Sequence, residues 1–467
     1  LAAALGAGAG CANIIPPQGG PRDSLAPVLL KSDPGDSTRN FRGDKITFTF
    51  DEYVEVQNIS DNLLVSPLPK NPPVVDYKLR TVTLKIKDSL EANTTYSFNF
   101  GSAIRDFNEG NPYKNFTYTF STGAYLDSLE LTGSVVLAET GKVDTSMIIM
   151  LHTSADDSAL IKDKPRYITR LDGKGNFHFK NLPARTFYIY ALKDDGNTRR
   201  YLSNKQLFAF ADAPVTTGVT KDSIKLLAWA QPSPAASNPG AAALAARNAA
   251  RGANRNTPDR RLRFQTTVEN GTQDLLENLE IRFDLPLKQF DSSKLKLFTD
   301  SSFVPVNGAS FRKDSTNKKI ILDLGKDGWK PNTLYQLILD KDFAEDSSGK
   351  RLLKSDTLSF TTKKQSDYGS LKLKFRGMDM SINPVVQFLI NGTIVKTYPI
   401  SSPELSIALI VPGEYELRIL GDTNKNGTWD PGQFFGKKRQ PEIVRPIERK
   451  INVKGGWQNE FELQSPR

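Results

Sequence analysis

The chain repeats itself at long range, and this repetition limits how it can be divided into domains. Three short patterns occur twice in the same order, roughly 235 residues apart. A second type of segment, marked by Leu182-Pro183 and Val411-Pro412, recurs at a similar distance. A repeat with so long a period indicates duplicated domains rather than a solenoid of short units. The three paired patterns are residues 46–51 with 279–284, 93–96 with 332–335, and 120–123 with 360–363.

The local pattern in both copies is that of β-strands. Apolar and polar residues alternate with a period of two at 45–50, 81–86 and 96–100. Turn-forming residues such as Asp172-Gly173 separate these runs, and no long amphipathic helical stripe interrupts them. The sequence therefore predicts an all-β protein made of tandem antiparallel sandwiches of about 100 residues each.

The first eleven residues predict a lipid attachment site. Ten apolar or small residues precede Cys11, the only cysteine of the chain, and no charged residue occurs before Arg22. Ala9-Gly10-Cys11 resembles the end of a bacterial lipobox, with Gly8 where an aliphatic residue is usual. This resemblance implies a diacylglyceryl group on the Cys11 thiol and further acylation, and more than one acyl chain gives stable membrane anchoring. A secretory signal with an incidental cysteine is the alternative.

These observations predict four domains of two types in the order A-B-linker-A-B. The linker is rich in Ala, Arg and Pro and poor in large apolar side chains, so it lacks the means to form a core of its own. The predicted segments, in chain order, are a signal-peptide remnant at 1–11, a Pro/Gly-rich tether at 12–24, type A at 25–123, type B at 124–230, the linker at 231–261, type A at 262–365 and type B at 366–467.

The two domain types resemble known families. Type A resembles the bacterial Ig-like domain of S-layer and Bacteroidota surface proteins, and type B resembles the transthyretin-like or carboxypeptidase-regulatory fold. Both resemblances imply β-sandwiches, and neither implies a chemistry, because these folds carry many unrelated functions. The resemblance rests on residues 23–28, 50–51, 93–96, 105–111 and 118–122 for type A, and on residues 172–179, 182–184 and 188 for type B.

The charge of the chain is partly concentrated in and after the linker. The formal net charge is +10. A cluster of arginines is either a solvated linker or a contact for polyanions such as anionic lipid head groups or acidic glycans. Nucleic acid is not expected as a partner, because no aromatic stacking platform accompanies the arginines. The cluster consists of Arg247, Arg251, Arg255, Arg260, Arg261 and Arg263.

Histidine and cysteine are too rare for the common catalytic centres. The chain has one cysteine and two histidines, His152 and His178. His178 lies between Phe177 and Phe179, so we expect it to point away from the core. No nucleophile elbow, zinc-protease, phosphate-binding or dinucleotide-binding pattern occurs. The sequence predicts no catalytic residues and no enzyme activity.

One loop predicts a metal site. Residues 422–433 resemble a calcium loop of the EF-hand or dockerin kind, with oxygen-bearing side chains at the first, third, fifth and ninth positions and glycine at the sixth. The twelfth position is glutamine and not a bidentate carboxylate, so a weak calcium site and a plain turn both stay open. Calcium is the only cofactor suggested. The candidate ligands are Asp422, Asn424, Asn426, Thr428, Asp430 and Gln433.

The resemblances and the anchor together imply a function in the bacterial envelope. We expect a non-catalytic outer-membrane lipoprotein that acts as a structural or protein-interaction scaffold with an envelope protein as partner. The absence of an acidic residue between Cys11 and Asp23 favours the periplasmic face, by resemblance to the export signals of Bacteroidota lipoproteins. The alternative is a surface protein for glycan binding or adhesion. Trp457 stands in a strand-like context, and we expect it in a core.

Overall fold

The alternating segments of the sequence form β-strands wherever the chain is described. The computed structural model describes residues 23–231, 261–325 and 328–466. These residues contain 35 strands and only a few helical turns of three or four residues. The all-β prediction is confirmed. The helical turns are α1 (Ile59–Asn62), α2 (Ala159–Lys162) and three 3-10 turns at Ser292–Lys294, Gln365–Asp367 and Met380–Ile382.

The first part of the chain forms a sandwich of two main sheets. Their orders are β1-β2-β6-β5 and β4-β7-β9, and β3 pairs with β8. In β2 the alternation is complete, since Ile46, Phe48 and Phe50 are fully buried while the residues between them are partly exposed. The strands are β1 (Leu29–Asp33), β2 (Lys45–Phe50), β3 (Val54–Val56), β4 (Leu64–Ser66), β5 (Val74–Lys78), β6 (Thr81–Lys85), β7 (Thr95–Asn99), β8 (Ile104–Asp106) and β9 (Thr117–Ser121).

The next part forms a second sandwich with one parallel pair. Its sheets have the orders β13-β10-β17 and β12-β11-β14-β15, with β16 also on β14. β10 and β17 run parallel. The strands are β10 (Leu129–Leu137), β11 (Ile148–His152), β12 (Tyr167–Arg170), β13 (Asn176–Leu182), β14 (Thr186–Leu192), β15 (Phe208–Phe210), β16 (Val215–Thr216) and β17 (Ile224–Ala228).

A sandwich similar to the first follows residue 261. Its sheets have the orders β18-β20-β25-β24 and β19-β28-β26-β22-β23, with a separate β21-β27 pair. The strands are β18 (Phe264–Thr266), β19 (Thr272–Gln273), β20 (Leu279–Phe283), β21 (Leu287–Phe290), β22 (Leu295–Thr299), β23 (Val304–Pro305), β24 (Ser310–Lys313), β25 (Lys319–Asp323), β26 (Leu334–Leu339), β27 (Ala344–Asp346) and β28 (Asp356–Thr362).

The last sandwich has the strand order of the second. Its sheets are β32-β29-β35 and β31-β30-β33-β34, and β29 and β35 form a parallel pair like that of β10 and β17. This recurrence is what duplication of a domain would produce. The strands are β29 (Gly369–Arg376), β30 (Pro384–Ile390), β31 (Thr393–Pro399), β32 (Glu404–Ile410), β33 (Gly413–Gly421), β34 (Val444–Val453) and β35 (Gln458–Gln464).

The described residues divide into two compact units. Unit 1 comprises residues 23–231 together with Pro431–Pro441. Unit 2 comprises the remaining described residues from 261 to 430 and from Glu442 onward. The predicted type B range 366–467 therefore contributes residues to both units. Pro431–Pro441, which lies between β33 and β34 in the sequence, is called the Phe434 segment below.

Unit 1 joins its two sandwiches through polar contacts at their junction. The Arg166 guanidinium donates two hydrogen bonds to the Glu91 carboxylate, at 2.5 and 2.6 Å. The Leu68 amide donates to the Arg166 carbonyl at 2.8 Å. Hydrogen bonding to Arg166 holds the pKa of Glu91 below its ordinary value. Since the contact is bidentate, it fixes the orientation of Arg166 as well as its position.

Gly133 in β10 provides a test of the second sandwich. A Cβ at this position would lie 2.2 Å from the Ile224 carbonyl oxygen and 2.3 Å from the Phe177 ring. We expect Gly133→Ala to lower the free energy of unfolding by about 1–3 kcal/mol through overpacking. Gly173→Ala is the matched control, because nothing lies within 4 Å of its Cβ position. Urea unfolding measures both; equal stability of the two variants would contradict the packing described.

Candidate interaction site

An aromatic cluster covers the outer face of one sheet of unit 1. Ile189, Ala191 and Ala209 belong to the core between the sheets. Because side chains alternate along a strand, their neighbours on β14 and β15 point to the opposite face. That face would meet solvent in an isolated sandwich, yet each cluster residue is at most 7% exposed. The aromatic cluster consists of Tyr190, Tyr201, Phe208, Phe210 and Trp229.

The rings of the aromatic cluster pack closely on one another. Tyr201 stacks on Phe208 with ring centroids 4.2 Å apart, and Trp229 meets Phe208 edge to face at 5.6 Å. Tyr190 and Phe210 are partners across β14 and β15. Such pairs stabilise beyond their buried area, and together they form a single apolar surface.

The Phe434 segment covers this surface. The backbones of Gln433 and Arg439 donate to each other at 2.8 and 2.9 Å, which closes a short loop around Phe434. The Phe434 ring is 3% exposed and meets Phe208 at 5.2 Å and Phe210 at 5.3 Å, both edge to face. A further edge contact reaches Tyr190 at 5.7 Å. Phe434 therefore completes the cluster as its sixth ring.

The first residues of the Phe434 segment pass close to Trp229, where only glycine fits. A Cβ on Gly432 would lie 2.6 Å from the Trp229 ring system. The Gln231 side-chain amide donates to the Gly432 carbonyl at 3.2 Å, next to this close approach. Only glycine lets the backbone pass so near an indole. Gly432 therefore lets the loop approach the cluster closely enough for the Phe434 ring to be buried.

Polar contacts surround the apolar centre. The Lys438 ammonium lies 2.6 Å from an Asp157 carboxylate oxygen and 4.7 Å from the Phe434 ring centroid. The Gln440 amide donates to the Phe210 carbonyl at 3.1 Å and to Asp212 at 2.8 Å. An exposed ion pair of this kind contributes about 0.2–1 kcal/mol, whereas burial of a phenylalanine contributes about 1.5–3 kcal/mol. Burial of Phe434 thus contributes more to docking than the ion pair does, and the polar contacts fix the orientation.

The loop before the segment is the candidate calcium loop. The Asp422 carboxylate, 2% exposed, accepts hydrogen bonds from the amides of Asn426 and Gly427 at 3.1 and 2.7 Å. Asp430 accepts from the side-chain amides of Asn424 and Asn426 at 2.6 and 2.8 Å. The loop is therefore closed by its own donors, as an Asx-rich turn is.

Glu442 ties both ends of this loop together and was missed by the sequence analysis. One carboxylate oxygen accepts from the Thr423 amide and hydroxyl at 2.7 and 2.6 Å, and the other accepts from the Asp430 amide at 3.0 Å. The Glu442 amide donates back to the Asp430 carbonyl at 3.0 Å. The Phe434 segment begins directly after Asp430 and ends directly before Glu442, so it projects from a fixed base.

Calcium at this loop stays a prediction. Within residues 23–231, 261–325 and 328–466, no group of three or more His, Cys, Asp or Glu side chains is arranged to hold a metal ion. The Thr428 hydroxyl donates to Asn426 at 2.8 Å. The Gln433 side chain donates to the Phe435 carbonyl at 3.0 Å and belongs to the docked segment.

The two histidines occupy different environments. His178 is exposed between the buried Phe177 and Phe179, as expected, and its Nε2 lies 2.7 Å from a Glu130 carboxylate oxygen. The Glu130 carboxylate could not be predicted as its partner, because Glu130 lies on the neighbouring strand β10, 48 residues earlier in the sequence. His152 is 3% exposed, meets the Tyr190 ring edge to face at 5.6 Å, and burial lowers its pKa to about 4.

His152 generates a pH prediction for unit 1. The unfolded chain takes up a proton at His152 near pH 6.5, whereas the folded chain does so only near pH 4. The free energy of unfolding therefore falls as the pH drops from 6.5 to 4, and His152 accounts for about 3 kcal/mol of this decrease. We expect His152→Gln to flatten this part of the stability profile, measured by urea unfolding at several pH values. An unchanged slope in the variant would refute the assignment.

Several residues singled out in the sequence lie elsewhere. Cys11, Arg247, Arg251, Arg255 and Arg260 lie outside the described residues. Arg261 and Arg263 are both exposed and lie directly before β18, the first strand of unit 2. The prediction for Trp457 was wrong: its side chain is 65% exposed, and Lys454 lies over its ring at 5.5 Å. Among the described residues, no helix has the length and apolar character needed to span a bilayer.

Comparison with solved structures gives only distant likenesses. The Bacillus anthracis TIE protein is 10% identical, with 96% of this chain and 76% of that chain covered and a TM-score of 0.16. The N-terminal part of the bacterial S-layer protein SbsC is 14% identical, with 44% of each chain covered and a TM-score of 0.16. BcpA, the major pilin subunit of Bacillus cereus, is 10% identical, with 72% of this chain and 99% of that chain covered and a TM-score of 0.16.

A family model matches both copies of the type A domain. No curated protein matches the sequence. The model of the bacterial Ig-like domain matches residues 23–122 and 261–362, which together make up less than half of the chain. These ranges coincide with the two sandwiches that contain β1–β9 and β18–β28. Residues 23–122 and 261–362 are therefore each similar to a bacterial Ig-like domain.

Proposed function

We propose that the chain is a non-catalytic protein of the bacterial cell envelope that acts as a structural or protein-interaction scaffold. Its Ig-like domains support this, because such sandwiches carry interaction surfaces in many unrelated proteins. Attachment to the outer membrane through a lipid on Cys11, on the periplasmic face, is part of the proposal and rests on the sequence. An envelope protein is the proposed partner.

The docking of the Phe434 segment is the observation that carries the proposal. Unit 1 completes an aromatic face with residues that lie more than 200 positions further along the sequence. A compact unit that is completed by a distant part of its own sequence keeps its surface in one conformation. Such a preformed surface suits a scaffold that binds a protein partner.

The surroundings of the histidines support the absence of catalysis. His152 is 3% exposed, and burial lowers its pKa to about 4, so its imidazole is neutral at ordinary pH and does not act as a general acid there. His178 and Glu130 form an exposed pair on neighbouring strands, with 41% and 52% of their side chains exposed. A pair open to solvent lacks the water-excluding surroundings in which acid–base pairs are effective.

The proposal predicts a membrane-bound partner. We expect the full lipidated chain, purified from detergent-solubilised membranes, to retain specific envelope proteins that mass spectrometry identifies. Cys11→Ser is the matched control; it removes the thiol that would carry the lipid, so the protein should leave the membrane fraction. Retention of no protein by the lipidated chain, or hydrolase activity in the purified chain, would contradict the proposal.

Exposed aromatic side chains favour a second candidate function, binding of glycans or adhesion at the cell surface. Trp457, at 65% exposure, offers a flat face to a sugar ring. Tyr53 and Tyr125 are also more than half exposed. Under this function intact cells would present the chain to added protease, and Trp457→Ala would weaken binding to surface polysaccharide. Protection from protease on intact cells, with release on permeabilisation, would favour the periplasmic scaffold.

A further inference from the structure

We infer that the aromatic cluster also accepts the Phe434 segment of a second copy of this chain. The cluster is occupied by an eleven-residue stretch of the same polypeptide. This stretch contacts the cluster only through non-covalent interactions. A site that binds its own segment binds the same segment from another molecule with the same contacts. The inference concerns self-association and holds for either proposed function.

The recognition elements are concentrated in the segment itself. Phe434 fills the centre, Gly432 allows the backbone to pass Trp229, and Phe435 stacks on Tyr201 at 6.0 Å with planes 16° apart. Lys438 pairs with Asp157 at the margin. An apolar anchor, a close backbone approach and one charge pair form a complete peptide-recognition pattern.

The base of the segment favours exchange as a rigid piece. Asp430 and Glu442 clamp its two ends through the carbonyl–amide hydrogen bond at 3.0 Å and the carboxylate–amide hydrogen bond at 3.0 Å. Gln433 and Arg439 close the loop above this base. These hydrogen bonds within the loop would reduce the ordering entropy that opposes docking onto another molecule.

Exchange between copies has two possible outcomes. If each of two copies places its segment in the cluster of the other, a closed dimer forms; if the exchange is one-way, the contact extends into rings or open chains. Docking within one chain competes, because the tether gives a high effective concentration. Association should therefore be weak in dilute solution and increase steeply at the density of molecules confined to a membrane or a cell surface.

A labelled peptide of residues 431–441 tests the site. The receptor is the full chain carrying Phe434→Ser, whose own segment lacks the anchor; its fold is checked by thermal unfolding. We expect this receptor to bind the wild-type peptide at least tenfold more tightly than a peptide carrying the same Phe434→Ser change. The wild-type chain, with its cluster occupied, should bind the wild-type peptide at least tenfold more weakly than the receptor does.

The unmodified chain provides a second measurement that does not depend on folding of the variant. Donor- and acceptor-labelled wild-type chains are mixed at increasing concentration, and energy transfer between them is followed. We expect transfer to increase with concentration, to be abolished by excess wild-type peptide, and to be unaffected by the Phe434→Ser peptide. Absence of transfer at every concentration, or transfer that neither peptide changes, would overturn the inference, as would equal binding of the two peptides to a folded receptor.

Discussion

The aromatic face of the β12-β11-β14-β15 sheet has to be covered, and the chain covers it with the Phe434 segment. Strand alternation directs Phe208 and Phe210 away from the core that their neighbour Ala209 helps to fill. An uncovered aromatic face of this kind would be an association surface. The rest of unit 1 can form from consecutive sequence, but this face is complete only when residues 431–441 are in place.

The features around the segment follow from this requirement. A loop that must place one ring among five others needs a fixed base, and the hydrogen bonds of Glu442 to Thr423 and Asp430 supply it. It also needs an approach without steric conflict, which Gly432 supplies beside Trp229. The calcium-like spacing at 422–430 is explained at least as well by this supporting role, since its carboxylates already accept hydrogen bonds from the loop.

The strands could be predicted from the sequence, because they depend on a local pattern of apolar and polar residues. Period-two alternation identified strands such as β2 and β6, and the family match supports the fold of both type A copies. The docking of Phe434 was not predicted, because two adjacent phenylalanines in a loop rich in Gly, Lys and Pro have no periodicity to indicate a partner. An apolar pair in such polar surroundings is the only local signal. The prediction for Trp457 failed because it precedes β35 and lies in the turn, where alternation no longer applies.

Amide hydrogen exchange across β15 tests most directly whether unit 1 depends on the docked segment. Gly432→Ala places a methyl group against Trp229, and Lys437→Ala, at an exposed position of the same loop, is the matched control. If unit 1 depends on the docked Phe434 segment, exchange at the amides of Phe208–Phe210 and Trp229 accelerates at least tenfold in Gly432→Ala. In Lys437→Ala it stays at the wild-type rate. Unchanged protection of these amides in a folded Gly432→Ala chain would contradict this dependence.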